Sequence, residues 1–213
     1  MKYADISEII FFLDQITLQL KIDRKKALVA IRNFSKFIDK QVPFRDGHAQ
    51  RVCAFSLKIG KQLRLTDNQL IDLEVAALLH DFGKIGISER LLTKTSPLTE
   101  KEQTEIRRHV IRGYYLLQGY PHLNKILEGV RTHHEKYDGT GYPFGLVAAM
   151  IPLSGRIIAV ADAFDAMTSF RPYRRTKSKA QAIMELQVLS GKHFDASIVD
   201  AFIKLLDEKN INQ

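Results

Sequence analysis

Residues 66–84 read TDNQLIDLEVAALLHDFGK, and this stretch decides the fold. Thr66 stands three residues before Gln69, the spacing of a capping box. There a hydroxyl accepts an amide N–H of the first helical turn and the Gln side chain answers it. The pattern predicts a helix near 67–80 that ends on the pair His80–Asp81, just before Phe82, Gly83 and Lys84. A helix end thus delivers an imidazole and a carboxylate side by side, and the rest of the chain must say what meets them.

Working outward, the helical reading extends in both directions. Ile6, Ile9, Ile10, Leu13 and Leu20 recur at helical spacing, as do Leu28, Ile31, Phe34, Phe37 and Ile38. Two more capping boxes pair Thr99 with Glu102 and Ser178 with Gln181. Helices are expected near 4–20, 24–39, 47–63, 67–80, 100–117, 122–134, 155–169, 179–189 and 196–207. Gly, Pro and Ser gather at 82–98 and 138–154, which read as loops. Strand-like alternation is weak and no repeat is visible, so the fold class is all-α. The break QVPFRDG (41–47) sets off residues 1–42 as a helical hairpin, for dimerisation or docking, from a chemical domain over 43–213. Alternatively, the two helices complete one bundle.

Composition narrows the function classes. A chain of 213 residues with 45% hydrophobic content can bury a sizeable core and is neither disordered nor membrane-like. The apolar run Ile9–Leu13 is far too short to span a bilayer, and Asp5 and Glu8 spoil a signal peptide. The expectation is a cytoplasmic protein without membrane insertion. The single cysteine, Cys53, excludes an internal disulfide, and its neighbours suggest a buried thiol. Any metal here must therefore use nitrogen and oxygen ligands. The net charge is +8, and RPYRRTKSK (171–179) holds five cations in nine residues. That run is either a solvated loop or a docking surface for an anionic substrate. With only Tyr173 interleaved, a nucleic acid polymer is not the expected partner.

Several titratable residues share a logic. His48 sits early in one predicted helix, His80 and Asp81 end another, and His109 lies within EIRRHVIRGYYLL. His133 and His134 begin HHEKYDGTGYP (133–143), whose glycines stop any helix, and Asp162 lies in IAVADAFDAM. Imidazole and carboxylate suit first-row divalent ions such as iron, manganese, zinc or nickel, and a carboxylate can bridge two of them. Asp165, one turn beyond Asp162, reads either as the partner that orients a ligand histidine or as a helix-surface acid. His122 reads as a helix-start residue, and His193 has no evident ligand role.

His80–Asp81 followed by Gly83–Lys84 resembles the signature of the HD superfamily of metal-dependent phosphohydrolases. HHEKYDGTGYP followed by GLVAAMIP resembles the HD-GYP subfamily, the cyclic di-GMP phosphodiesterases. The likeness runs from His48 to the C-terminus, through KIGISERLLTKTSPLT, RIIAVADAFDAMTSFRPYR and GKHFDASIV. It implies an HD-type helical bundle carrying a helical N-terminal extension. It also implies that His48, His80 and Asp162 hold one metal, that His109, His133 and His134 hold a second, and that Asp81 bridges them.

By the same resemblance Lys84 places a charge against the scissile phosphate or protonates the leaving oxygen, and Arg171 and Arg174 bind the substrate's phosphates and bases. Gly141, Tyr142 and Pro143 form a loop at the mouth of the site, implying contacts with substrate and with diguanylate cyclase (GGDEF) partners; alternatively they only shape the turn. The implied activity is hydrolysis of cyclic di-GMP at two iron or manganese ions about 3.5–4 Å apart, either stopping at pGpG, as a site of only two ions suggests, or continuing to GMP. Two rivals stand beside it: a weakly active or inactive cyclic dinucleotide receptor that scaffolds cyclases, and a hydrolase of another cyclic dinucleotide or a phosphomonoester. The chain departs from the family in places. Phe44 stands where an extra glutamate would bind a third metal, so the site is expected to be binuclear. Val110 follows His109 in place of a proline, Ala148 occupies a glycine slot, and Ala196 replaces a proline after Phe194–Asp195.

Overall fold

Two long helices, α1 (Ile6–Ile22) and α2 (Arg24–Gln41), pack against each other in a computed structural model that describes residues 6–41, 47–170 and 175–211. Helix α3 (His48–Gln62) and helix α4 (Asp67–Leu79) follow as a tightly packed pair. Polar residues line the first turns of α4, but Leu73 through Leu79 form an unbroken buried run. A helical run buried on every side must be enclosed, and α2, α3 and two later helices, Leu127–Thr132 and Leu153–Thr168, enclose this one. Beyond it come α5 (Glu89–Leu92), α6 (Glu100–Arg107), α7 (His109–Leu117), α8 (Leu127–Thr132), α9 (Leu153–Thr168), α10 (Lys179–Val188) and α11 (Ala196–Ile211). Among the described residues no strand forms, only isolated bridges joining Asp138 to Val147 and Ser190 to Phe194. The all-α expectation holds.

All three capping boxes form at their expected threonines and serine, which is why α4, α6 and α10 begin where the sequence places them. Other boundaries differ. The helix expected over 100–117 breaks at Arg108, where the Ile106 carbonyl accepts the His109 ring N–H at 2.7 Å. The one expected over 122–134 opens as a 3-10 turn, Pro121–Ile126, before α8. His122 lies within that turn. The supposed loop 82–98 contains a 3-10 turn, Phe82–Gly86, and the short α5.

The hydrophobic core continues across both ends of the chain. Ile9, Leu13 and Ile16 of α1 meet Ile31 and Phe34 of α2 in the cluster that also holds Leu79, Phe82, Phe164 and Phe202. Phe34 packs on Phe82 with ring centroids 5.6 Å apart. Buried Glu74 accepts a hydrogen bond from Arg32 Nε at 2.6 Å. Helix α3 opens on Gly47, in the left-handed region at φ 69 and with no side chain to cap it. Asp39 of α2 takes over that duty, its carboxylate accepting the Ala49 N–H at 2.9 Å. The N-terminal helices thus help set the start of the helix that carries His48. Cys53 is buried, and burial followed by the nearby Glu74 charge pushes its thiol up to about 12, out of reach of nucleophilic chemistry. Among the described residues no helix is long and apolar enough to cross a membrane.

Candidate metal centre

Helix ends deliver most of the site. His48 is the first residue of α3, His80 caps the end of α4 and Asp81 follows it; His109 opens α7, His133 caps the end of α8 and His134 follows it, while Asp162 sits within α9. Gly83 lets the segment after Asp81 lie against α7, since a Cβ there would stand 2.0 Å from the His109 carbonyl oxygen. All seven predicted residues come together in two groups. Donor atoms of Asp81, His109, His133 and His134 lie within 4.8 Å of one another, as do those of His48, His80 and Asp162.

Asp81 faces both groups. Its Oδ1 is 3.2 Å from His109 Nε2 and 3.9 Å from His133 Nε2. Its Oδ2 is 3.5 Å from both His48 Nε2 and His80 Nε2. Asp162 Oδ1 lies 3.4 Å from His48 Nε2.

The tautomers follow from elementary bonding. A carbonyl oxygen only accepts, so the Nδ1 atoms of His80, His109 and His133 carry the protons they donate to Ala77, Ile106 and Val130, each at 2.7 Å. In the neutral ring each Nε2 then presents a lone pair to the cluster. His109 and His133 aim theirs at each other across 3.4 Å. His80 Nε2 is buried with no hydrogen-bond partner among the described residues. Facing lone pairs beside a buried carboxylate repel unless cations lie between them. The donor set therefore fits divalent metal, with imidazole nitrogens and carboxylate oxygens suited to iron, manganese or zinc.

Burial keeps His80, His133 and His134 neutral. Burial first, then the neighbouring His133 and His48, holds His80 well below the usual imidazole range. His133 is pulled to about 3 by burial and then by His109. His134 lies well below its ordinary value for the same leading reason, with His133 and His109 adding to it. Neutral imidazole is the form that ligates metal. Asp165 is 1% exposed and receives the His48 Nδ1–H at 2.7 Å and Arg51 Nε–H at 2.5 Å. Burial works to raise its carboxyl, but the bonds from His48 and Arg51 outweigh it and hold the group at about 2. Of the two sequence readings for Asp165, the structure shows the partner of a clustered histidine.

Lys84, 5% exposed, donates to Asp81 Oδ2 at 2.5 Å, so its charge sits at the heart of the cluster. Arg171 and Arg174, and Phe44 in the slot of the extra glutamate, lie outside the described residues. The Gly-Tyr-Pro loop lies beside the site. Gly141 is required by close approach, since a Cβ would stand 2.2 Å from the Lys136 amide nitrogen. Tyr142 stacks on His134 with centroids 4.9 Å apart, and Pro143 is exposed.

The HD domain family model matches residues 32–198, most of the chain, including every residue of the cluster. The chain belongs to the HD-domain family. Among its relatives, the cyclic di-GMP phosphodiesterase of Thermotoga maritima is 42% identical over 163 residues, covering 76% of this chain and 44% of that protein. The 3'3'-cGAMP-specific phosphodiesterase 3 of Vibrio cholerae is 37% identical over 187 residues, covering 87% of this chain and 41% of that protein. This HD-domain chain thus spans less than half the length of these curated relatives. Its fold also resembles that of an HDG"Y"P protein from Bdellovibrio bacteriovorus, with a TM-score of 0.66 at 20% identity over 92% of this chain and 69% of that one.

Sequence reasoning overlooked two residues around this HD-domain cluster. Glu135 is 3% exposed, and its two oxygens accept the amide N–H groups of Phe144 at 2.7 Å and Leu146 at 3.1 Å. Arg107 places its guanidinium over the Tyr142 ring, 5.2 Å from the centroid. Glu135 directly follows the histidine pair, a position that could have drawn notice; Arg107 carries no signal in the sequence.

Proposed function

We propose that this chain hydrolyses a cyclic dinucleotide, with cyclic di-GMP the leading substrate, at a centre of two iron or manganese ions. The observation that carries the reading is Asp81, whose two carboxylate oxygens each face a separate group of histidines. His48, His80 and Asp162 would hold one ion, and His109, His133 and His134 the other. When bound, such ions supply an activated water at neutral pH and neutralise charge on the phosphoryl oxygens. Lys84, which donates to Asp81, would counter negative charge at the reacting phosphate or give a proton to the departing oxygen. Arg171 and Arg174 are proposed to bind phosphates and bases, and Gly141, Tyr142 and Pro143 to border the substrate.

The names of the relatives support cyclic dinucleotides as the substrate class and leave two members of it in contention, cyclic di-GMP and 3'3'-cGAMP. A binuclear site in which Phe44 replaces a third carboxylate leads us to propose that the reaction stops at pGpG. Docking of GGDEF partners on the Gly-Tyr-Pro loop and pairing of two copies through α1 and α2 belong to the same proposal. The deciding experiment is anaerobic reconstitution with Fe²⁺ or Mn²⁺, followed by chromatography of products from both dinucleotides over time. Conversion of cyclic di-GMP to pGpG is expected. Tight binding without cleavage over hours would establish the receptor instead, and exclusive cleavage of 3'3'-cGAMP would move the substrate.

A further inference from the structure

Four of the five clustered histidines have their second ring nitrogen fixed by a hydrogen bond. His48 bonds Asp165, and His80, His109 and His133 bond backbone carbonyls, all at 2.7 Å. His134 is the exception. Among the described residues neither of its ring nitrogens makes a hydrogen bond, and its orientation depends on ring contacts. It tilts against His133 at 4.1 Å and meets His109 edge-on at 5.1 Å. Its one stacked neighbour is Tyr142, at 4.9 Å and 26° between planes.

We propose that Tyr142 is the positioning residue of His134, its ring fixing by stacking the plane that hydrogen bonds fix for the other four, with Glu135 holding Tyr142 in place. The proposal rests on the metal-centre reading above. The loop that carries Tyr142 is pinned on both sides of that ring. Upstream, Gly141 lies hard against the Glu135–Lys136 backbone, and the Tyr142 N–H donates to the His134 carbonyl at 3.2 Å. Downstream, the buried Glu135 carboxylate accepts two loop amides. Arg107 covers the Tyr142 ring, a cation–π contact that favours an electron-rich aromatic there. Phe144 is tied as well, since the Arg131 guanidinium lies 5.2 Å from both its ring and that of Tyr114.

Chemical consequences follow. A stack sets a ring's plane but does not raise the basicity of its ligating nitrogen, as a hydrogen-bonded partner does. Of the two ion sites, the one that includes His134 is therefore the weaker, and it depends on the loop. Glu135 is also an unusual requirement. Each of its oxygens takes a different amide, so in this geometry glutamine would turn its NH2 group toward one of the two.

The test compares Tyr142→Phe, Tyr142→Leu and Glu135→Gln with the unaltered chain. Mn²⁺ binding is followed by calorimetry, and the His134 ring by NMR of the metal-free protein. Tyr142→Phe keeps both ions and the ring-current shift on His134. Tyr142→Leu loses that shift and weakens one of the two binding steps about 10- to 100-fold, leaving the other unchanged. Glu135→Gln, which retains both rings and serves if Tyr142→Leu does not fold, shows the same selective loss in smaller measure. Two unchanged binding steps in a folded Tyr142→Leu, or an unchanged His134 signal, would overturn the proposal. If the unaltered chain takes up no Mn²⁺, the metal-centre reading fails, and the NMR arm still decides whether Tyr142 sets His134.

Discussion

Asp165 lies 2.7 Å from Nδ1 of His48, one turn of α9 beyond Asp162, on the far side of the imidazole from Asp81. A carboxylate in that place fixes the His48 tautomer and turns Nε2 toward the cluster. Replacing it with alanine frees the ring to rotate. We expect Asp165→Ala to weaken ion binding about 10- to 100-fold, whereas Asp165→Asn, which can still accept the Nδ1–H, loses less. Calorimetric titration with Mn²⁺ checks this, and equal affinity in both variants and the unaltered chain would refute it.

Asp81 and Lys84 are bonded to each other yet should fail differently. Asp81→Ala removes the carboxylate shared by both groups, so ion content falls at both sites and turnover disappears. Lys84→Ala keeps every donor atom of the cluster. Metal analysis should find its ion content near that of the unaltered chain, while the rate drops on the order of 100-fold or more, as expected when a charge or proton donor at the reacting group is lost. Turnover retained by Asp81→Ala contradicts the bridging role.

Acid should destabilise the metal-free protein over a defined range. His80, His133 and His134 all have folded pKa values below 6.5, His133 at about 3. Below 6.5 the unfolded chain binds protons that the folded chain refuses, so their stabilising contribution is fully present above that pH. It is lost progressively as pH falls toward the folded values. Urea midpoints of chelated protein should therefore fall between pH 7 and pH 4, and a flat profile would count against burial of neutral rings. Added Mn²⁺ should restore stability chiefly at the upper end, because protons compete with the ion for nitrogen.

Ala148 carries its backbone at φ 51, in the left-handed region where a Cβ is penalised. This is the slot where the resembled family has glycine, and the conformation explains the preference. Ala148→Gly should raise stability by about 1 kcal/mol, read from the urea midpoint at constant slope. No gain, with the fold unchanged, would show that the strain is relieved elsewhere.

Much of this protein was legible along the chain because its signals are local. A capping box needs only Thr66 and Gln69, an all-α class needs only periodicity, and the seven cluster residues sit in short motifs, six of them at helix ends and Asp162 inside α9. What stacks, caps and orients was not legible. Asp39 caps α3 from another helix, Arg107 covers Tyr142 across a loop, and Glu135 grips amides of Phe144 and Leu146. By itself, then, the sequence determined which histidines and aspartates were candidates for one cluster and where the three capped helices begin. Tertiary structure alone decided which Asp81 oxygen faces which histidines and why His134 leans on a tyrosine, because those relations depend on distances between helices that no spacing along the chain encodes.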